Sequence, residues 1–229
     1  MRLLQNNYFR FGITLILTLQ YSLLRMTDFS TVVKPLPIIF WLAIILFSPK
    51  RPEGRWVVVS LFCAAIGDIL LDLGAGWLIP ATIPFLGSTL ILAFAFYMRG
   101  RSAIGKTQRL QSFPLLVPIA LLAIGFHSLM APLMGEAAKI GAVLMLLSTL
   151  LIWQSLMVLV LKRDSDDLRV HRLLGFIGTC GIVANYILYS INIGLNPVPR
   201  DLVIQLYYWG TAFTAWSFLR PAEGGMPLQ

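Results

Sequence analysis

Eight apolar runs, separated by short polar segments, constrain the fold of this chain more than any other feature of its sequence. They lie near residues 11–27, 32–48, 56–73, 77–98, 113–133, 137–161, 171–192 and 202–219. Each run is close to the ~20 residues that an α-helix needs to cross a bilayer core. Only 12% of the 229 residues are charged, whereas soluble domains average about 25%. The sequence therefore predicts an all-α protein, with residues 1–229 forming a single transmembrane helix bundle of about eight spans.

The basic residues are distributed unevenly between the segments that join these runs. Most of the 18 Lys and Arg residues lie before the first run, after the last, and in every second connection. Because basic loops stay on the cytoplasmic side, this distribution predicts that both termini are cytoplasmic. The net charge of +8 then faces anionic lipid rather than nucleic acid. We expect a multi-pass protein of a bacterial inner membrane, with membrane lipids and no nucleic acid among its partners.

Two carboxylates in the third run, Asp68 and Asp72, are the main candidates for function. Their spacing of four residues places them on one face of a helix, about one turn apart. Asp68 lies about 18 Å along the helix from Trp56, where the run begins, and charge at that depth is costly and usually functional. Asp72 is either a second functional acid or an interfacial residue at the outer helix end. Gly67 predicts the close approach of another backbone or of a ligand.

Other polar residues are expected at a similar depth on neighbouring spans. Lys34 precedes the second span on the outer side and is a candidate to neutralise Asp72 or Asp68. Asn185 and Tyr189 lie in the seventh run, and Tyr207 and Tyr208 lie near the outer start of the eighth. These depths predict one polar layer in the bundle, although the sequence does not show which helix faces meet.

Several kinds of chemistry lack their usual motifs in this chain. It has no Gly-x-Ser-x-Gly elbow, no His and Cys cluster, and no glycine-rich nucleotide loop. We therefore expect no metal and no cofactor. Cys63 and Cys180 each lie within an apolar run and are interpreted as buried free thiols. Acid–base chemistry by carboxylates remains possible.

Two further patterns concern packing. Gly175, Gly178 and Gly181 recur at every third residue, which predicts the close approach of another helix. Tryptophans such as Trp41 are interpreted as anchors at the membrane interface.

Four short motifs, taken together, resemble the lysoplasmalogenases, or YhhN-like proteins. They are Lys34-Pro35 before the second span, Gly67-Asp68-Ile-Leu-Leu in the third, the stretch from Leu90 to Tyr97, and Tyr207-Tyr208 in the eighth. The resemblance covers most of the chain and also implies the eight-span bundle.

The chain departs from the family pattern at three positions, so it resembles a divergent member. The family usually has Ser-Asp in the seventh span, where this chain has Ala184-Asn185. Phe94 replaces a frequent histidine, and Thr211 is the nearest counterpart of a common glutamine.

The resemblance implies a hydrolase that cleaves the vinyl ether bond of a lysoplasmalogen to a fatty aldehyde and a glycerophospho-headgroup. Asp68 would be one catalytic carboxylate, and the spacing suggests Asp72 as the second. The expected partner is a lysophospholipid or ether-lipid substrate. Residues predicted to bind it are Lys34, Asn185, Tyr189, Tyr207 and Tyr208. Two alternatives remain: a catalytically degenerate member that binds lipid or a partner without turnover, and a proton-coupled transporter that uses both acids as a relay. The oligomeric state is not predicted.

Overall fold

The structure is a computed structural model, and it describes residues 6–24, 33–101, 104–161, 166–195 and 199–220. Nearly all of these residues are helical, and their strand-like pairing is limited to one isolated antiparallel bridge between Lys50 and Leu219. The all-α prediction is therefore confirmed.

The helices follow the apolar runs closely. In chain order they are α1 (Asn7–Leu24), α2 (Leu36–Phe47), α3 (Gly54–Asp72), α4 (Leu78–Arg101), the short α5 (Lys106–Gln111), α6 (Phe113–Met134), α7 (Ala138–Leu161), α8 (Asp166–Leu195) and α9 (Arg200–Ser217). Short 3₁₀ turns at Ala75–Trp77 and Gly135–Ala137 join α3 to α4 and α6 to α7.

Proline and glycine set several helix ends. Pro35 and Pro37 open α2, where the backbone N–H groups of the first turn have no helical partner and a proline costs nothing. Gly74 has φ +119° just after α3, and Gly135 has φ +56° at the end of α6. Residues with a side chain rarely adopt these angles, so glycine permits the tight turns that follow both helices.

Five helical segments within the described ranges are long and apolar enough to cross a membrane: α3, α4, α5 with α6, α7, and most of α8. This supports a multi-pass membrane protein. The apolar helix α2 has 12 residues and is shorter than a full span. The count of eight spans and the cytoplasmic termini therefore stay predictions.

The glycine row on α8 packs directly against α9, as predicted. A Cβ atom added at Gly178 would lie 2.5 Å from the backbone nitrogen of Thr214, and one added at Gly181 would lie 3.1 Å from the Cα of Gly210. A Cβ at Gly210 would in turn lie 2.7 Å from the backbone nitrogen of Ile182. Side chains at these positions would hold the two helices apart, so the glycines set their distance.

The interpretation of Trp41 as an interface anchor is wrong. Its side chain is only 1% exposed, and its indole N–H donates to the hydroxyl of Thr14 on α1 at 3.0 Å. The ring also packs against Trp216 of α9. A buried hydroxyl acceptor is available to the indole, so Trp41 serves as a core residue that joins three helices.

Backbone hydrogen bonds join the end of α9 to the connection between α2 and α3. The backbone N–H of Arg51 donates to Phe218, and that of Arg220 donates to Pro49. Arg99 reaches the same region and donates to Ser217. We call this the basic end of the bundle, and the opposite end carries Lys34 and Asp72.

Candidate active site

Asp68 lies on α3 and is buried, with 3% of its surface exposed. The preceding residue, Gly67, faces the ring of Phe85 on α4, and a Cβ atom there would lie 2.8 Å from the ring carbons. The expectation of a nearby backbone or ligand is therefore wrong, because a phenyl ring takes this space. The absence of a side chain at Gly67 lets α4 approach α3 beside Asp68.

Lys34 and Asp72 form a buried ion pair at the end of the bundle opposite the basic end. The Nζ atom of Lys34 donates to Oδ1 of Asp72 at 2.6 Å, and their side chains are 6% and 9% exposed. The other oxygen of Asp72, Oδ2, makes no hydrogen bond to the described residues. Burying two charges costs several kcal/mol per ion, which their mutual attraction must offset.

Tyr208 fixes the backbone at Lys34. Its hydroxyl donates to the carbonyl oxygen of Lys34 at 2.6 Å, and its ring meets that of Tyr21 edge to face at 5.8 Å. Tyr208 is 1% exposed, so the last helix contacts the start of α2 through a fully buried contact. This arrangement holds the ammonium group of Lys34 in reach of α3.

The surroundings of Asp68 combine charged groups with phenols. Lys34 and Asp72 are close enough to act on its charge, and so are the hydroxyls of Tyr186 and Tyr207. The Oδ2 atom of Asp68 makes no hydrogen bond to the described residues. A carboxyl group with an uncommitted oxygen and polar neighbours is suited to proton transfer.

The seven sequence-predicted site residues divide into two groups. Lys34, Asp68, Asp72, Tyr207 and Tyr208 come together between α2, α3 and α9.

The other two predicted residues have different surroundings. The side-chain amide of Asn185 donates to the backbone carbonyl of Val203 at 2.6 Å, which commits it to the contact between α8 and α9. Tyr189 is 39% exposed.

Other residues of the site were not among the predicted ones. Tyr186 on α8 is buried, and its hydroxyl shares a 3.2 Å hydrogen bond with Thr89 on α4. Phe85 meets the ring of Tyr207 edge to face at 6.1 Å. A small polar residue such as Thr89 carries no chemical signal in the sequence, and only the packing of α4 against α8 brings it to the site.

A cavity of about 20 Å³, measured as the space open to the centre of a water molecule, lies among α3, α4, α7, α8 and α9. Its walls combine aliphatic side chains with hydroxyl groups. The hydroxyl-bearing residues are Ser60, Ser88, Thr89, Tyr186, Tyr207, Thr211 and Thr214. Tyr207 and Tyr186 line this cavity and also interact with Asp68, so the cavity and the acid belong to one region.

In the ranges that the structure describes, no three His, Cys, Asp or Glu side chains are placed to hold a metal ion together. The described site holds one buried carboxyl group, beside a second carboxylate whose charge is balanced by a lysine.

Comparison with known proteins gives one match. The model of the YhhN family matches residues 29–218. No curated protein and no solved structure matches the chain. The matched residues include Lys34, Asp68, Asp72, Tyr207 and Tyr208.

Proposed function

Because the chain belongs to the YhhN family, the family of lysoplasmalogenases, we propose that it hydrolyses the vinyl ether bond of a lysoplasmalogen. The products are a fatty aldehyde and a glycerophospho-headgroup such as glycerophosphoethanolamine. One observation carries the proposal: Asp68 is buried in the group that includes Lys34, Asp72 and Tyr207, and its Oδ2 atom makes no hydrogen bond to the described residues. A single-chain amphiphile suits a site enclosed by apolar helices.

The reaction needs one proton donor and one water molecule. Asp68 in its acid form donates a proton to the second carbon of the alkenyl chain, which leaves an oxocarbenium ion at the first carbon. Water adds to that carbon and returns a proton to the Asp68 carboxylate. The resulting hemiacetal breaks its bond to the glycerol oxygen, and its hydroxyl proton passes to that oxygen as the aldehyde forms. Water is thus consumed, and Asp68 ends in its starting state.

The ion pair between Lys34 and Asp72 supports this chemistry by its charge. The carboxylate of Asp72 stabilises positive charge that develops one helical turn away, while Lys34 prevents two neighbouring carboxylates from being left uncompensated. Catalysis by Asp72 itself stays a prediction, and its direct contact with Lys34 favours a charge-balancing role. Lys34 has further ammonium protons for a substrate phosphate, since only one goes to Asp72.

The remaining predicted contacts complete the proposed binding site. Tyr207 is close enough to Asp68 for their charges to interact, and it would contact the reacting end of the lipid. Tyr189 is half-exposed on α8, where it would contact the alkyl chain or glycerol of a lipid entering from the membrane. Asn185 would act indirectly, because its hydrogen bond to the carbonyl of Val203 positions α9 against α8.

A second candidate function is lipid binding without turnover, and the hydrogen bond of Asn185 favours it. The resemblance implies an aspartate at this position, and an amide has no useful acid or base form. Here the amide is also committed to the carbonyl of Val203. If two ionisable groups are required, this chain lacks one of them.

Aldehyde release decides between the two functions. The purified protein in detergent is mixed with lysoplasmenylethanolamine, and the aldehyde is measured by coupled reduction with NADH. We expect turnover by the wild type and a loss of about 100-fold or more in Asp68→Asn, which removes the acid but keeps the shape. Glu53→Gln, the same replacement of a carboxyl group by an amide at the basic end, should keep wild-type rates. A folded wild type that releases no aldehyde from any headgroup variant would support lipid binding instead.

A further inference from the structure

The cavity beside Asp68 extends from Tyr207 towards the basic end of the bundle. Tyr207, Thr211 and Thr214 line it from α9, and they lie three and four residues apart, which places them on one face of that helix. From Tyr207 to Thr214 this row covers about 10 Å. Ser60 and Ala64 line the facing wall on α3, between Asp68 and the basic end.

Two hydroxyl groups on this row have no hydrogen-bond partner among the described residues, namely those of Tyr207 and Thr214. Their side chains are 7% and 2% exposed. A buried polar group without a partner costs roughly 1–3 kcal/mol, and internal water is the usual partner where space allows. One water needs about 10–15 Å³ measured in this way, so the cavity of about 20 Å³ has room for one or two.

We propose that this cavity is the water site of the protein, with ordered water held by the hydroxyls of Tyr207 and Thr214 and delivered to Asp68 from the side of the basic end. The inference rests on the proposed function for its chemical purpose, because hydrolysis consumes one water per turnover. It also assigns Tyr207 a positioning role, since this residue lines the cavity and interacts with Asp68.

This route keeps water and lipid on separate paths. A lipid enters between helices through apolar surface, whereas the cavity approaches Asp68 from within the bundle among hydroxyl groups. Water then meets the oxocarbenium ion only after the alkenyl chain has been protonated beside Asp68. When that water loses its proton to Asp68, the next molecule follows along the row of hydroxyls.

Hydroxyl-radical labelling tests the water site without any lipid. X-ray irradiation converts bound water to radicals, which oxidise the nearest side chains, and mass spectrometry locates the products. Tyr207 and Tyr208 form a matched pair of adjacent buried tyrosines, but the hydroxyl of Tyr208 donates to Lys34. We expect Tyr207 to be oxidised several-fold faster than Tyr208, and Ala64→Leu, which fills the cavity, to remove the difference. Equal labelling in the wild type, or a difference that persists in the filled variant, would overturn the proposal.

Thr214→Val provides a second test that does not require filling the cavity. If water binds this hydroxyl, its removal lowers the melting temperature and reduces kcat about tenfold with little change in KM, because the substrate still binds. In a dry cavity the same change removes an unsatisfied buried hydroxyl and raises the melting temperature, which would refute the proposal. Thr149→Val is the control, since Thr149 is also buried but does not line the cavity and donates to the backbone of Met145 on its own helix.

The two proposals can fail separately. Selective labelling of Tyr207 in a protein that releases no aldehyde leaves the water site standing and removes the hydrolase. Aldehyde release with no selective labelling retains the hydrolase and removes the water site.

Discussion

The buried pair of Lys34 and Asp72 yields the most quantitative prediction. With the two charged atoms 2.6 Å apart, their attraction is about 6 kcal/mol at an effective dielectric constant of about 20. Removing both ions from water costs several kcal/mol each, so the net contribution of the pair to the free energy of unfolding is small. Removal of one partner, however, leaves the other charge buried and uncompensated, which costs about 3–5 kcal/mol.

A double-mutant cycle tests this reasoning. Lys34→Met and Asp72→Asn should each lower the melting temperature in detergent by roughly 6–20 °C, on the scale of 2–4 °C per kcal/mol for a protein of this size. The double variant should lie much closer to the wild type, because neither charge remains. The hydrogen bond from Tyr208 survives in every variant, since it goes to the backbone of Lys34. If the two losses simply add in the double variant, the pair is not coupled and the reasoning fails.

The same three proteins separate the two roles considered for Asp72. If it balances the charge of Lys34, the double variant releases aldehyde faster than either single variant, although it stays slower than the wild type because the pair no longer supports the reaction. If Asp72 transfers a proton, turnover is lost in the double variant as well. Measuring rates well below the melting temperature of each variant keeps unfolding from imitating a catalytic defect.

Three further predictions concern the close contacts of the bundle. Gly67→Ala should destabilise the protein by about 1–3 kcal/mol in thermal melts and reduce turnover, since its Cβ would lie 2.8 Å from Phe85. Gly87→Ala on α4 is the control, because no atom lies within 4 Å of an added Cβ there. It should leave turnover unchanged and leave stability unchanged or slightly raised. Asn185→Asp should lower the melting temperature by the equivalent of about 1–3 kcal/mol, because a carboxylate cannot donate to the carbonyl of α9; unchanged stability would contradict this contact. Gly178→Ala should reduce the yield of folded, monodisperse protein, because its Cβ would lie 2.5 Å from the backbone of α9, and a wild-type elution profile would contradict the packing.

The fold was largely predictable because the apolar runs coincide with helices, and because the length of each run shows whether its helix can cross a bilayer. The helices begin and end within a few residues of the runs, apart from α8, which begins earlier, at Asp166 within the charged segment that follows α7. The close packing at Gly175 and Gly178 was also predictable, since a row of glycines on one helix face has few other uses.

The site was predictable only in part, because depth along a helix does not determine direction around it. Asp68 and Lys34 could be identified as candidate site residues because charged residues are rare in apolar runs. Asn185 shares their expected depth but faces the backbone of α9 instead. Trp41 was misassigned for a related reason: a tryptophan in an apolar run indicates an interface position only when its indole finds no buried acceptor.

The position of α9 has a consequence for how the protein is made. This helix carries Tyr207 and Tyr208, is the last of the described helices to be synthesised, and is not among the five described segments that are long and apolar enough to cross a membrane. Its position in the bundle depends on the glycine face of α8, because side chains there would collide with its backbone. Lys34, Asp68 and Asp72 are therefore synthesised before the helix that completes their surroundings, and the site forms only once α9 has packed against α8.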